Sequence, residues 1–189
     1  MSDLLPQLIQ QLFNGLSLGA IYALIAIGYT MVYGIIGMIN FAHGDIYMIG
    51  AYIGLVTLSA VGTTSGLPIW FIIALMLVVA AVITGVYGFA VEQVAYKPLR
   101  SSPRLVALIS AIGMSIFLQN WVALGQGARD MAVPALLPGA FTFHMSNFEV
   151  FVPYARVLII VVAVALMIAL TLYIKHSRMG RASRACAQD

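Results

Sequence analysis

Asn40, His43 and Asp45 place an amide, an imidazole and a carboxylate close together in the stretch "INFAHGD", residues 39–45. Such a trio supports several chemistries. His43 and Asp45 could be two ligands of a metal, or a general base and the carboxylate that orients it. Asn40 could instead close one helix while Asp45 caps the N-terminus of the next. The trio could also line the path or gate of a polar solute at the free ends of a broken helix. The enzymatic versions lack parts. The nearest nucleophile, Ser115 in "GMSIF", has Phe117 where G-x-S-x-G requires its second glycine, so no nucleophile elbow forms. The chain has no H-E-x-x-H and no paired carboxylates. Its single cysteine, Cys186, excludes an intrachain disulfide and belongs to no Cys/His cluster. No catalytic residue, metal or cofactor is therefore expected.

The elements that must position the trio follow from composition. Hydrophobic residues make up 62% of the 189-residue chain and charged residues 8%, with a mean hydropathy of +1.03. A soluble domain has about a quarter of its residues charged, so this apolar surface must face a lipid bilayer. The net charge of +3 comes from bases that flank apolar runs, with no basic face interleaved with aromatics. Nucleic acid is excluded as a partner on that pattern.

A helix needs about 20 apolar residues to cross the hydrocarbon. Residues 68–91, 105–125 and 154–174 meet that length cleanly. From Leu12 to Val61 the only formal charge is Asp45, and the 50 residues hold two further spans with a remainder too long for a tight turn. That remainder, near residues 33–45, is itself apolar and carries Gly34, Gly37 and Gly44. Irregular backbone at membrane depth is tolerated where protein buries it or where it lines a wet cavity. The expectation is an all-α polytopic membrane protein of about five transmembrane helices in a single domain, residues 1–189, with a broken or re-entrant element near 33–45. The start "MSDLLPQ" lacks a basic n-region, so the first apolar run is expected to be a retained helix.

Cytoplasmic loops collect Lys and Arg. Lys97, Arg100 and Arg104 follow the third span, and Lys175, Arg178, Arg181 and Arg184 recur at every third position of the tail. The long connection 126–153 has Arg129, Asp130 and Glu149, with Arg156 just inside the next span, and these charges nearly cancel. This pattern predicts the N-terminus outside and the C-terminus in the cytoplasm. The tail bases read as positive-inside anchors or as a contact for a cytoplasmic partner. On the first span Gly15, Gly19 and Ala23 repeat every four residues, a small-xxx-small face suited to close helix packing, with Asn14 and Ser17 beside it. Gln119 and Asn120 fit an interfacial position or a pore, and Glu92 an interfacial position near Lys97.

These residues form longer recognisable stretches. "GLSLGAIYALIAIGYTMVYGIIGMINFAHGDIYMIGAY" (15–52), "VEQVAYKPLRSSPRLVALISAIGMSIFLQN" (91–120) and "SRMGRASRACAQD" (177–189) closely resemble the permease subunit of bacterial high-affinity branched-chain amino-acid ABC importers. The resemblance implies an inner-membrane channel-forming subunit that works with a second permease, two cytoplasmic ATPases and a periplasmic binding protein. ATP hydrolysis would belong to those partners, in keeping with the lack of a P-loop here. Leucine, isoleucine and valine are the expected substrates. Related permeases with similar "NFAHG" stretches carry urea or short amides, and a non-transporting helical scaffold is the reading from another class. Family members continue beyond the position matching "RACAQD" into a coupling helix and further spans, so the chain is expected to be the N-terminal portion of such a permease.

Overall fold

The structure, a computed structural model, describes residues 4–37, 39–62, 66–127, 131, 133, 136–145 and 148–186. Six α-helices and one hairpin follow in chain order: α1 (Leu4–Ile36), α2 (His43–Val61), α3 (Ile69–Val91), α4 (Arg104–Gln126), β1 (Ala140–Met145), β2 (Phe148–Pro153), α5 (Tyr154–His176) and α6 (Arg178–Cys186). A π turn, Glu92–Tyr96, and a 3₁₀ turn, Lys97–Leu99, continue α3 toward α4. Five helical stretches are long and apolar enough to cross a membrane: Leu5–Gly34, His43–Val61, Ile69–Leu99, Leu105–Gln126 and Tyr154–His176. The three clean spans of the sequence reading coincide with α3, α4 and α5 to within about two residues, the ordinary uncertainty of a helix end. The expected break is present and narrower than 33–45. Helix α1 runs to Ile36, Gly37 takes φ +70, and α2 starts at His43. A positive φ suits glycine, which has no Cβ to clash there.

Contacts divide the chain into two compact units, residues 36–133 and residues 1–35 with 134–189. In the 36–133 unit, α2 packs on both α3 and α4 around a core of Ala42, Ile49, Val91, Ala95, Tyr96, Ala111 and Leu118. Helix α2 comes close to α3 at Gly50, where an added Cβ would lie 3.0 Å from Thr84 Oγ1. One turn on, a Cβ added at buried Gly54 would lie 3.8 Å from Met76 Cε, at van der Waals contact. Gly50 and Gly54 thus form the small-xxx-small contact of this unit. The Gly15–Gly19–Ala23 face on α1 behaves differently. It is exposed, and among the described residues nothing lies within 4 Å of where a Cβ at Gly15 or Gly19 would stand. Close packing on that face is not made among the described residues.

In the second unit, the long connection contains an antiparallel hairpin that a purely helical reading did not anticipate, with Phe141 opposite Val152 and Thr142 opposite Phe151. Val150 and Val152 are buried while the intervening Phe151 is exposed, the two-residue period of a strand. The hairpin is fixed at both ends. Gly139 (φ +116) stands where any Cβ would fall 2.6 Å from the ring of Tyr154, and that ring stacks edge-on against Phe141 with centroids 4.8 Å apart. The tail is helical. The Ser177 hydroxyl accepts the Gly180 N–H at 2.8 Å, a helix cap, and Gly180 lies so near the Ile174 carbonyl that an added Cβ would fall 2.1 Å from it.

Candidate functional site

The break between α1 and α2 owes its shape to residues from distant parts of the chain. The Asn40 carbonyl accepts the His43 N–H at 3.1 Å and closes the turn before α2, while Asn40 Oδ1 accepts the phenolic O–H of Tyr96. Tyr96 is buried at the end of the π turn. The wider i→i+5 bonding of that turn is seen in the Lys97 N–H to the Glu92 carbonyl, and π turns of this kind concentrate at functional sites. Ser110 of α4 donates to the Ala95 carbonyl at 3.2 Å and so braces the turn from the side. Side chains from the break, the end of α3 and α4 therefore meet here.

Asp45 does not cap α2. The N-cap position belongs to Ala42, and no side-chain cap hydrogen bond is made there. The reason is register: Asp45 sits inside the first turn, where its carboxylate turns to a neighbouring helix. Its Oδ1 accepts a 2.9 Å hydrogen bond from Gln119 Nε2 of α4. Asp45 is only 7% exposed, and its Oδ2 is buried with no hydrogen-bond partner among the described residues. Leaving a charged acceptor so under-satisfied costs about 1–3 kcal/mol or more. The first turn of α2 offsets part of that, because a helix N-terminus favours negative charge.

The depth of this contact follows from chain length. Gln119 stands 15 residues beyond Arg104, the first residue of α4, which is about 22 Å along a helix rising 1.5 Å per residue. Asp45 therefore meets α4 well inside its apolar run. The sequence left Gln119 between interface and pore; its role as the partner of Asp45 depends on a contact spanning 74 positions, which no local pattern reveals. Asn120 faces elsewhere and donates to its own helix at the Ile116 carbonyl.

One helical turn beyond the Asp45–Gln119 pair lies a cleft of about 540 Å³ between α2, α3 and α4. Ile49, Ile53, Ile83 and Val122 form its aliphatic wall, and Tyr52, Thr57, Tyr87 and Gln126 supply its polar atoms. His43 is half-buried at the start of α2. Among the described residues no three His, Cys, Asp or Glu side chains gather to hold a metal, and His43 and Asp45 are not joined by further donors of that kind.

The remaining polar residues sort into local networks. Glu92 pairs with Arg100 rather than Lys97, and Lys97 donates to Gln93 at 2.9 Å. The geometry favours this because Gln93 and Lys97 are separated by one helical turn. In the other unit Asn14 Oδ1 accepts from Arg156 and, at 3.2 Å, from Gln10. Ser17 bonds within its own helix, to the Asn14 carbonyl. Sequence reasoning gave Arg156 no role beyond charge counting. Of the tail bases, Lys175, Arg178 and Arg181 are exposed and Arg181 donates to the His176 carbonyl. The backbone of Arg184 continues α6, and its side chain lies outside the described residues.

Comparison with known proteins places this architecture. Residues 11–189 match the family described as "Branched-chain amino acid transport system / permease component". The high-affinity branched-chain amino acid transport system permease protein LivH of Escherichia coli (strain K12) is 52% identical over 193 aligned positions, covering 100% of this chain and 62% of that protein. LivH of Salmonella typhimurium is 51% identical over 190 positions with the same coverage. The permease BraD of Pseudomonas aeruginosa is 53% identical over 184 positions, or 96% of this chain and 59% of BraD. The chain thus spans about 60% of the length of the curated relatives it matches. No solved structure matches. With a family match over nearly every residue and five helices of membrane-spanning length, the chain belongs to the permease components of branched-chain amino acid transport systems, a family of multi-pass membrane proteins.

Proposed function

We propose that this chain is a permease subunit of an ATP-driven importer that moves leucine, isoleucine and valine inward across the bacterial inner membrane by alternating access. The observation that carries the reading is the family match over residues 11–189, joined by relatives named as high-affinity branched-chain amino acid permeases. Its partners are a second permease subunit, cytoplasmic ATP-binding subunits that hydrolyse the nucleotide, and a periplasmic amino-acid-binding protein. This subunit performs no bond chemistry and needs no cofactor. The basic clusters at 97–104 and 175–184 support an orientation with the N-terminus outside and the C-terminus in the cytoplasm. Lys175, Arg178, Arg181 and Arg184 then anchor the cytoplasmic end of α5 and face the ATP-binding partner.

Asn40, His43 and Asp45 form part of the path or its gate. Support comes from the depth of the Asp45–Gln119 contact and from the break held by Asn40 and Tyr96, since unwound segments with free helix ends serve substrate sites in many transporters. Gly15, Gly19 and Ala23 present an open small-residue face on α1, suited to a helix from a partner subunit.

Uptake of radiolabelled leucine tests this in cells that lack their own permease and supply the other subunits. The chain is compared with a chimera extended by the remaining segment of LivH. Leucine uptake by either form, competed by isoleucine and valine, is the expected result. No uptake by both forms at normal membrane abundance overturns it, and urea and short amides become the next substrates to try.

A further inference from the structure

We propose that Asp45 Oδ2 is a docking position for a primary ammonium group, and that the cleft beside it takes the branched aliphatic part of the same ligand, an amino acid in transit. The inference rests on the transport reading above and names the residue that would contact the substrate's charged head.

Three observations carry it. The first is the open valence on Asp45, a side chain more than nine-tenths buried whose Oδ2 lacks a hydrogen-bond partner among the described residues. A carboxylate serving only to tie α2 to α4 would do so equally well as an amide, without the unsatisfied charged oxygen. The second is an alternative partner for the group that now holds Asp45. Gln119 Nε2 lies 2.9 Å from Asp45 Oδ1 and 3.2 Å from Ser115 Oγ. When a cation engages the carboxylate, Gln119 keeps a hydrogen bond by remaining with Ser115, so its release leaves no amide stranded.

The third is the juxtaposition with the cleft. Asp45 and Ile49 are four residues apart on one face of α2, and Gln119 and Val122 three apart on one face of α4. Ile49 and Val122 line the cleft, with Ile53, Ile83 and Tyr87 farther on. Asp45 and the first cleft residue on α2, Ile49, are about one helical turn apart, a rise of about 5.4 Å along the axis, a spacing that suits a ligand with an ammonium head and a short branched tail. An ammonium at Asp45 replaces its lost water by a charge-assisted hydrogen bond, and the tail fills apolar space.

Trp121 also lines the cleft and provides the readout. The chain carrying Trp70→Phe, reconstituted in nanodiscs, is titrated with 3-methylbutylamine, which is cationic at neutral pH. Its neutral counterpart, 3-methylbutan-1-ol, controls for partition into lipid. The expected result is a saturable Trp121 fluorescence change with the amine at a concentration about tenfold below that for the alcohol, the advantage of a hydrogen bond to a charged group. Leucine is expected to displace the amine. In Asp45→Asn, which retains an acceptor for Gln119, the amine preference is lost; in Gln119→Leu, which leaves the carboxylate in place, it persists.

Equal response to amine and alcohol in the parent, an amine preference that survives Asp45→Asn, or an amine that leucine does not displace would each overturn the proposal. Because the measurement needs no partner subunit and no ATP, its failure is separable from a failure of leucine uptake. Uptake with no amine preference sinks the Asp45 assignment alone.

Discussion

Asp45 and Arg156 each stand in the first turn of an apolar helix, and the chain treats them in opposite ways. Arg156 lies in the first turn of α5, in the unit formed by 1–35 and 134–189; Asp45 lies in the first turn of α2, in the 36–133 unit. The helix dipole favours Asp45 in that position and disfavours Arg156. Arg156 is half-buried and meets Asn14, whose oxygen is shared with Gln10, and Gln10 in turn bonds both the N–H and the carbonyl of Phe151. That network closes on itself and fastens the hairpin to α1. Asp45, almost fully buried, has one neutral donor and one oxygen left over. Half-buried Arg156 leaves no buried polar atom without a partner, whereas Asp45 Oδ2 is buried with none among the described residues. The electrostatically better-placed residue is the less satisfied one, which is why the function is assigned to the 36–133 unit.

The contrast breaks most sharply at the donors. Gln119→Leu removes the donor that the described contacts give the Asp45 carboxylate, and is expected to lower stability by about 2–3 kcal/mol, the worth of a hydrogen bond to a buried charge. The midpoint of SDS-induced unfolding in mixed micelles measures it. Next comes Gly50→Val, which drives a branched side chain toward Thr84, 3.0 Å from the first added carbon. Overpacking of this kind costs about 1–3 kcal/mol, and Thr84→Ala in the same chain should recover part of the loss in the same assay.

Asn14→Leu takes the oxygen from Arg156 at a half-exposed site, and about 1 kcal/mol is expected. A larger loss for Asn14→Leu than for Gln119→Leu would reverse the comparison and move the critical charge to the other unit. The smallest effect belongs to Asp45→Asn, within about 0.5 kcal/mol of the parent, because the amide still accepts from Gln119 and the unsatisfied charge is gone. Normal unfolding together with lost amine recognition separates a ligand-binding role from a structural one. An unfolding midpoint as low as that of Gln119→Leu would show that the charge itself stabilises the fold.

Most of the architecture was legible because membrane spans are written in local composition. Helices α3, α4 and α5 declare themselves by length and apolarity alone, and the break is announced by an excess of apolar residues with glycines and one charge. The hairpin was written too: "AFTFHM" and "FEVFVP" stand two residues apart in the sequence and are rich in aromatic and β-branched residues, a signal that the helical context obscured. Pairings were not legible. Nothing in the spacing distinguishes the Gly50–Gly54 face, which packs, from the Gly15–Gly19 face, which stays open, because both satisfy the same four-residue rule. Asp45 invited the cap reading since Asp is a favoured cap residue; the outcome was decided by Ala42 occupying that position and by a glutamine on a distant helix.

The π turn at Glu92–Tyr96 acts as a one-residue phase shift. Each residue of an α-helix advances about 100° around the axis, so straightening Glu92–Tyr96 into an ordinary α ladder with all five residues kept would rotate everything after it relative to α3. Tyr96 would be carried away from Asn40, and Lys97 and Arg100 would turn with it. Two properties that look unrelated, the closure of the break and the direction in which the basic loop faces, are therefore set by the same insertion. Regularising the turn without removing a residue is expected to alter both together, whereas substitutions at single side chains can change them one at a time.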